Sequence, residues 1–163
     1  LAQISTVSGI EKLNATLQTL LDGMSVSQTT LTANMVGHVV LVPGSGLQLA
    51  SGAAAGGIGL AGSAHEVAVT IKDANGLVMK TLNLGAQAAG VHNFTWDGVA
   101  GDGANAADGN YAISVKATRG GEDVSATALG FATVRSLVRS GADFMLDLGA
   151  SGLATMDDVK QIL

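Results

Sequence analysis

The sequence predicts a mainly-β chain: a small antiparallel sandwich inserted in a second, discontinuous β-domain and preceded by a helix. Three observations carry this. Between Glu66 and Leu129 apolar residues recur with period two, and Gly/Asn/Asp turn clusters interrupt them about every 8–12 residues, the cadence of a sandwich. The stretches on either side run to about 30 residues each, below the practical floor of about 40 for an independent core, so the economical solution is that they pair with each other. From Ile10 to Leu31 the apolar spacing is three and four, which is helical.

Residues 4 to 31 read as the helix. Ile10, Leu13, Leu17, Leu20, Met24 and Leu31 fall on a narrow heptad seam, with Ser27 in the missing slot and Glu11, Lys12, Asn14, Thr16 and Gln18 between. Gly23 weakens the later turns. Such a seam docks either on its own domain or on a partner, and the pattern leaves both open.

A β-branched run from Val36 to Val42 is a strand, stopped by Pro43-Gly44-Ser45-Gly46. Ser51 to Gly62 is small, apolar and uncharged, and reads as a loosely packed strand pair or a flexible connector. Glu66–Lys72 alternates, Asn75-Gly76 signals a hairpin because both residues tolerate positive φ, and Leu77–Leu84 returns. After a turn over Gly85–Gly90, Phe94 and Trp96 share a strand face with His92 behind them; Tyr111, Ile113 and Val115 share another. Arg119–Glu122 turns into a strand from Val124 to Leu129, and Phe131–Val138 is a further strand. Phe144–Leu146 and Leu148 precede a Gly/Ser turn. Thr155 and Asp158 have the spacing of a capping box opening a last helical turn, Val159–Ile162. The expected division is 1–33 helical, 34–62 with 130–163 as the discontinuous β-domain, and 63–129 as the sandwich.

Composition narrows function. A net charge of −5 argues against nucleic acid, which needs a basic footprint. No apolar run is long enough to cross a membrane as a helix. Zero Cys excludes disulfides and thiolate metal sites. Charged residues are 13% and aromatics 3%, so the core is thin and the surface sparsely charged. The chain opens on Leu1 and reads as a fragment or a processed chain.

The densest feature is Gly90–Tyr111, with five Gly, three Asp and the only Trp and Tyr. Asp97, Asp102 and Asp108 lack calcium-loop spacing and a closing Glu, so turn chemistry is the expectation and no metal is expected. Gly57-Ile58-Gly59-Leu60-Ala61-Gly62 matches a dinucleotide fingerprint literally, but a strand follows where a helix is required. His38, His65 and His92 lie on separate strands without a local carboxylate. No nucleophile elbow or acid–base pair appears, so no enzyme and no cofactor is expected. Phe94, Trp96 and Tyr111 are expected to brace the sandwich core; stacking a sugar on Trp96 and Tyr111 is the competing use.

The order GVHNFTWDG, GDG, ADGNY and VKATRGG, with LAQISTV and EKLN before it and Leu148–Val159 after it, resembles the bacterial flagellar hook-capping family, also called basal-body rod modification protein or hook assembly scaffold. That resemblance implies a fibronectin/immunoglobulin-like sandwich inserted in a small Tudor-like barrel. It implies export through the flagellar type III apparatus and a place at the distal end of the growing hook, promoting ordered addition of hook subunits. It implies a homo-oligomeric cap, a pentamer, with no catalytic residue. On that reading Ile10, Leu13, Leu17, Leu20 and Met24 contact other copies or the hook. The rival class is a carbohydrate- or surface-binding sandwich module of a secreted adhesin, using Trp96, Tyr111 and the Asp loop.

Overall fold

A computed structural model describes residues 11–19, 33–141 and 143–163. Residues 11–19 are helical, with Thr16 and Thr19 hydroxyls donating to the carbonyls of Lys12 and Ala15 one turn back. The strands are β1 Val39–Pro43, β2 Gly46–Leu49, β3 Ala54–Leu60, β4 Glu66–Lys72, β5 Val78–Asn83, β6 Gly90–Trp96, β7 Gly109–Arg119, β8 Glu122–Val124, β9 Ala126–Thr133, β10 Ser136–Ser140, β11 Asp143–Asp147, β12 Leu153–Ala154 and β13 Gln161–Ile162.

One sheet runs β13-β1-β9-β3-β6, a second β2-β7-β4-β5 with β8 on β7, and a third β10-β11-β12. The first two sheets face each other across a core to which β2 gives Leu47 and Leu49, β3 Ile58 and Leu60, β4 Val67, Val69 and Ile71, β6 Phe94 and Trp96, and β7 Ile113. This is an immunoglobulin-like sandwich. A second core gathers Met35, Val40, Val42, Ala132, Val134, Leu146, Leu148 and Ala154 from the two chain flanks, under a curled half-barrel of sheet. The mainly-β fold with flanks that close on each other is therefore as the sequence predicts.

One strand joins the two cores. The first half of β9 pairs with β3, from Leu60↔Ala126 to Gly57↔Leu129; its second half pairs with β1, from Pro43↔Leu129 to Val39↔Thr133. Gly130 sits at the changeover, where a Cβ would lie 2.9 Å from the carbonyl oxygen of Gly46. The sequence predicts one strand ending at Leu129 and another beginning at Phe131. The structure corrects this: Gly130 permits a close backbone approach within a continuous strand, and the break falls instead between β9 and β10, around Val134 and Arg135.

Other elements differ from expectation for identifiable reasons. Val36 lies exposed in a turn ended by Gly37 (φ 88°), so β1 starts at Val39. The segment 34–62, expected to serve the discontinuous domain, divides its residues: Val40 and Val42 enter the second core, whereas β2 and β3 line the sandwich. Gly/Ala-rich β3 is a central strand between β9 and β6 rather than a flexible connector. Its glycines are needed for packing: a Cβ on Gly56 would lie 2.7 Å from Phe94 Cζ, and one on Gly57 2.8 Å from Leu41 Cδ2. The turn after β4 is organised by Asp73, and only Gly76 takes positive φ (83°), so Asn75 does not form the expected mirror-image turn. The Thr155–Asp158 capping box is present but opens a 3₁₀ turn over Met156–Asp158. The chain then pairs Gln161–Ile162 with β1, and no helical turn forms there, because the β1 edge offers free backbone partners.

Candidate functional site

The loop from Asp97 to Asp108 joins β6 to β7 at one end of the sandwich. Its base is aromatic. Trp96 is 2% exposed and meets half-buried Tyr111 edge-on, ring centroids 5.1 Å apart at 79°. Trp96 donates Nε1–H to Val99 O (2.9 Å), and Tyr111 donates its hydroxyl to Ala107 O (2.6 Å). Both rings thus bury an apolar body and use their polar ends to hold the loop. Gly98 (φ 68°) comes within 3.1 Å, measured from a built Cβ, of Leu49 Cδ1.

The three carboxylates are committed to backbone N–H groups. Asp97 accepts from Val99 N (3.1 Å) and Asp102 from Ala104 N (3.0 Å), both ordinary Asx turns. Asp108 reaches across the sandwich end, accepting from Ser51 N (2.9 Å) and Gly52 N (3.3 Å). There it clamps the β2–β3 turn, where Ser51 is a non-glycine residue at positive φ (53°). No sequence-local signal marks this contact, since 57 residues separate the partners. Among the described residues no group of three His, Asp or Glu is placed to hold a metal ion.

The remaining candidates are dispersed. His92 donates to Ala88 O (2.8 Å), His38 lies 3.0 Å from Leu163 O, and exposed His65 donates its backbone N–H to Thr118 O. Gly57 and Gly59 of the dinucleotide-like motif are interior positions of β3, and no helix follows them. An open cleft of about 550 Å³ lies over Glu66, Ala68, Asn83, Lys116 and Thr118, where the Thr118 hydroxyl donates to Glu66 Oε2 (3.4 Å), and one of about 330 Å³ lies by Gln48, Phe131, Arg135 and Ser151. Two carboxyls titrate below their ordinary range: Asp73, through the Leu77 backbone N–H, and Asp158, through the backbone and then the hydroxyl of Thr155. Both stabilise turns.

Of the predicted contact residues, Leu13 and Leu17 are 65% and 51% exposed on the 11–19 helix. Ile10, Leu20 and Met24 lie outside the described residues. On the described helix two leucines thus face solvent, whereas the aromatic loop is closed on itself.

Known proteins decide the affiliation. A family model for the FlgD Ig-like domain matches residues 44–121. Over its full length the chain is 42% identical to the basal-body rod modification protein FlgD of Escherichia coli K12, spanning 74% of that protein, and equally so to that of Salmonella typhimurium. This chain belongs to the FlgD family. FlgD from Xanthomonas campestris, solved for insights into the hook capping essential for flagellar assembly, superposes with a TM-score of 0.65 at 32% identity, covering 83% of this chain and 99% of its own. FlgD from Pseudomonas aeruginosa gives 0.67 at 28% identity, covering 79% and 98%. The sandwich with its half-barrel is the FlgD architecture. The adhesin alternative gains no support: Trp96 is buried, and the loop carboxylates that a ligand would need are spent on turns.

Proposed function

We propose that this protein is a structural assembly factor that caps the distal end of the growing flagellar hook and promotes ordered incorporation of hook subunits. The observation that carries this is the full-length 42% identity to FlgD of Escherichia coli, joined to the hook-capping role stated for the Xanthomonas campestris relative. On this reading the protein is not an enzyme. Its partners are the hook subunit and further copies of itself in a pentameric cap, and it reaches the hook through the flagellar type III export apparatus.

The contact surface we assign is the helix seam of Ile10, Leu13, Leu17, Leu20 and Met24. Support comes from Leu13 and Leu17, whose exposure costs hydration unless a partner covers them. Phe94, Trp96 and Tyr111 serve as the sandwich brace. Core membership favours a division in which residues 46–129 form the sandwich, and residues 35–43 with 130–163 form the half-barrel.

Expression of the full-length protein in a flagellated bacterium lacking its own hook cap tests the reading. Restored hooks, with the protein at their distal ends by immunoelectron microscopy, are expected. Hookless cells despite normal protein levels would contradict it.

A further inference from the structure

The β4–β5 turn holds Asn75-Gly76, the dipeptide whose backbone most readily attacks its own side chain. In that reaction hydroxide takes the proton from Gly76 N–H, and the nitrogen forms a bond to Asn75 Cγ. The Cγ–Nδ2 bond breaks, and the amide leaves as ammonia after taking a proton from water. Water then opens the succinimide ring at either carbonyl to aspartate or isoaspartate, so the net change is amide plus water to acid plus ammonia. The isoaspartate product routes the backbone through the side chain and adds a methylene to the turn.

Asn75 and Gly76 are both exposed, so water and hydroxide reach the site. The turn nevertheless opposes each step. Gly76 N–H, which must lose its proton, is donated to Asp73 O at 3.0 Å. Asp73 Oδ1 fixes the backbone on either side, accepting from Asn75 N (2.9 Å) and Leu77 N (2.8 Å). Asp73 Oδ2 accepts from the Asn75 amide itself (3.4 Å), and Asp73 N–H closes the loop on Leu77 O (2.9 Å). A negative charge held beside Gly76 N also disfavours the nitrogen anion that attack requires. The Leu77 and Asn75 N–H groups keep the carboxyl ionised, so the clamp is present across the neutral range where deamidation runs.

We propose that Asn75 is a latent deamidation site and that the Asp73 carboxylate is the positioning group that holds it unreacted. The inference rests on the turn alone and is independent of hook capping.

The test is incubation of the intact protein at pH 8 and 37 °C, with peptide mapping of the 72–80 region by mass spectrometry. A heptapeptide Lys-Asp-Ala-Asn-Gly-Leu-Val runs beside it as the unrestrained reference. The native protein should react at least tenfold more slowly than the peptide, since each charged hydrogen bond that must open lowers the reactive population by about that factor. Asp73→Ala should raise the rate about tenfold with an unchanged far-ultraviolet spectrum. Asp73→Asn, whose Oδ1 still accepts the two backbone N–H bonds, should recover most of the protection. Asp73→Ala with Asn75→Gln should show no conversion at position 75. A native rate equal to the peptide's, or an Asp73→Ala rate equal to the native one, would overturn the proposal. Should Asp73→Ala prove unstable, hydrogen exchange at Gly76 in the native protein replaces it: protection is expected, and unprotected exchange contradicts.

Discussion

The Gly90–Tyr111 run and the helix at 11–19 are opposites. The first holds the rarest and largest side chains, yet Trp96 is 2% exposed and its loop acids bind backbone. The second holds plain leucines, yet Leu13 is 65% exposed. Burial and satisfied hydrogen bonds mark the first as packed, whereas the described helix leaves its leucines in solvent, which is why we propose it as the contact surface. The difference teaches that residue rarity is a poor guide to function in a thin-cored protein, because the few aromatics must be spent on the core.

The comparison breaks most readily at Trp96. Trp96→Ala should cost about 3–5 kcal/mol by thermal or urea unfolding, through lost burial and a cavity opposite Tyr111; a shift below about 1 kcal/mol would mean the loop is not a brace. Gly130→Ala should cost about 1–3 kcal/mol, since the new methyl meets the Gly46 carbonyl oxygen and backbone must move. Because β9 serves both cores, a single unfolding transition should shift; loss confined to one core would show that they are uncoupled. Asp108→Ala should cost about 1 kcal/mol and raise hydrogen exchange at Ser51 and Gly52 specifically.

Acid sharpens the picture with a smaller effect. Asp73 and Asp158 have native pKa values below the ordinary 3.8, so their contribution is complete above that value and is lost as the pH falls through the lowered native value. Urea midpoints should therefore fall on acidification below about pH 4. Asp158→Asn should flatten that fall, and an unchanged slope would assign the acid sensitivity elsewhere.

Legibility in the sequence followed the range of the interactions. The period-two strands around Val67–Ile71 and Tyr111–Val115 were readable because burial alternates residue by residue along each. That the flanks share a second core was readable from their length, but not that β2 and β3 line the sandwich and leave only Met35, Val40 and Val42 of the first flank in it. Gly56, Gly57 and Gly130 were not, since a glycine required by a neighbour's side chain or carbonyl looks like a breaker until that neighbour is in place. Asp108 on Ser51 and Gln161–Ile162 on β1 were hidden for the same reason, the first a carboxylate on a backbone N–H and the second a strand pairing, each between distant segments. In the site, the Asp turns were legible because Asx bonds reach only two residues.

The direct test of the central contrast is the double substitution Leu13→Asp plus Leu17→Asp in the full-length protein. Its sedimentation is measured with and without hook subunits, alongside swimming motility and thermal unfolding. Both side chains are exposed, so the unfolding free energy should hold within about 0.5 kcal/mol. Cap assembly and motility should be lost. Intact assembly and motility with the same double substitution would contradict the account, and the contact surface would have to be sought elsewhere on the molecule.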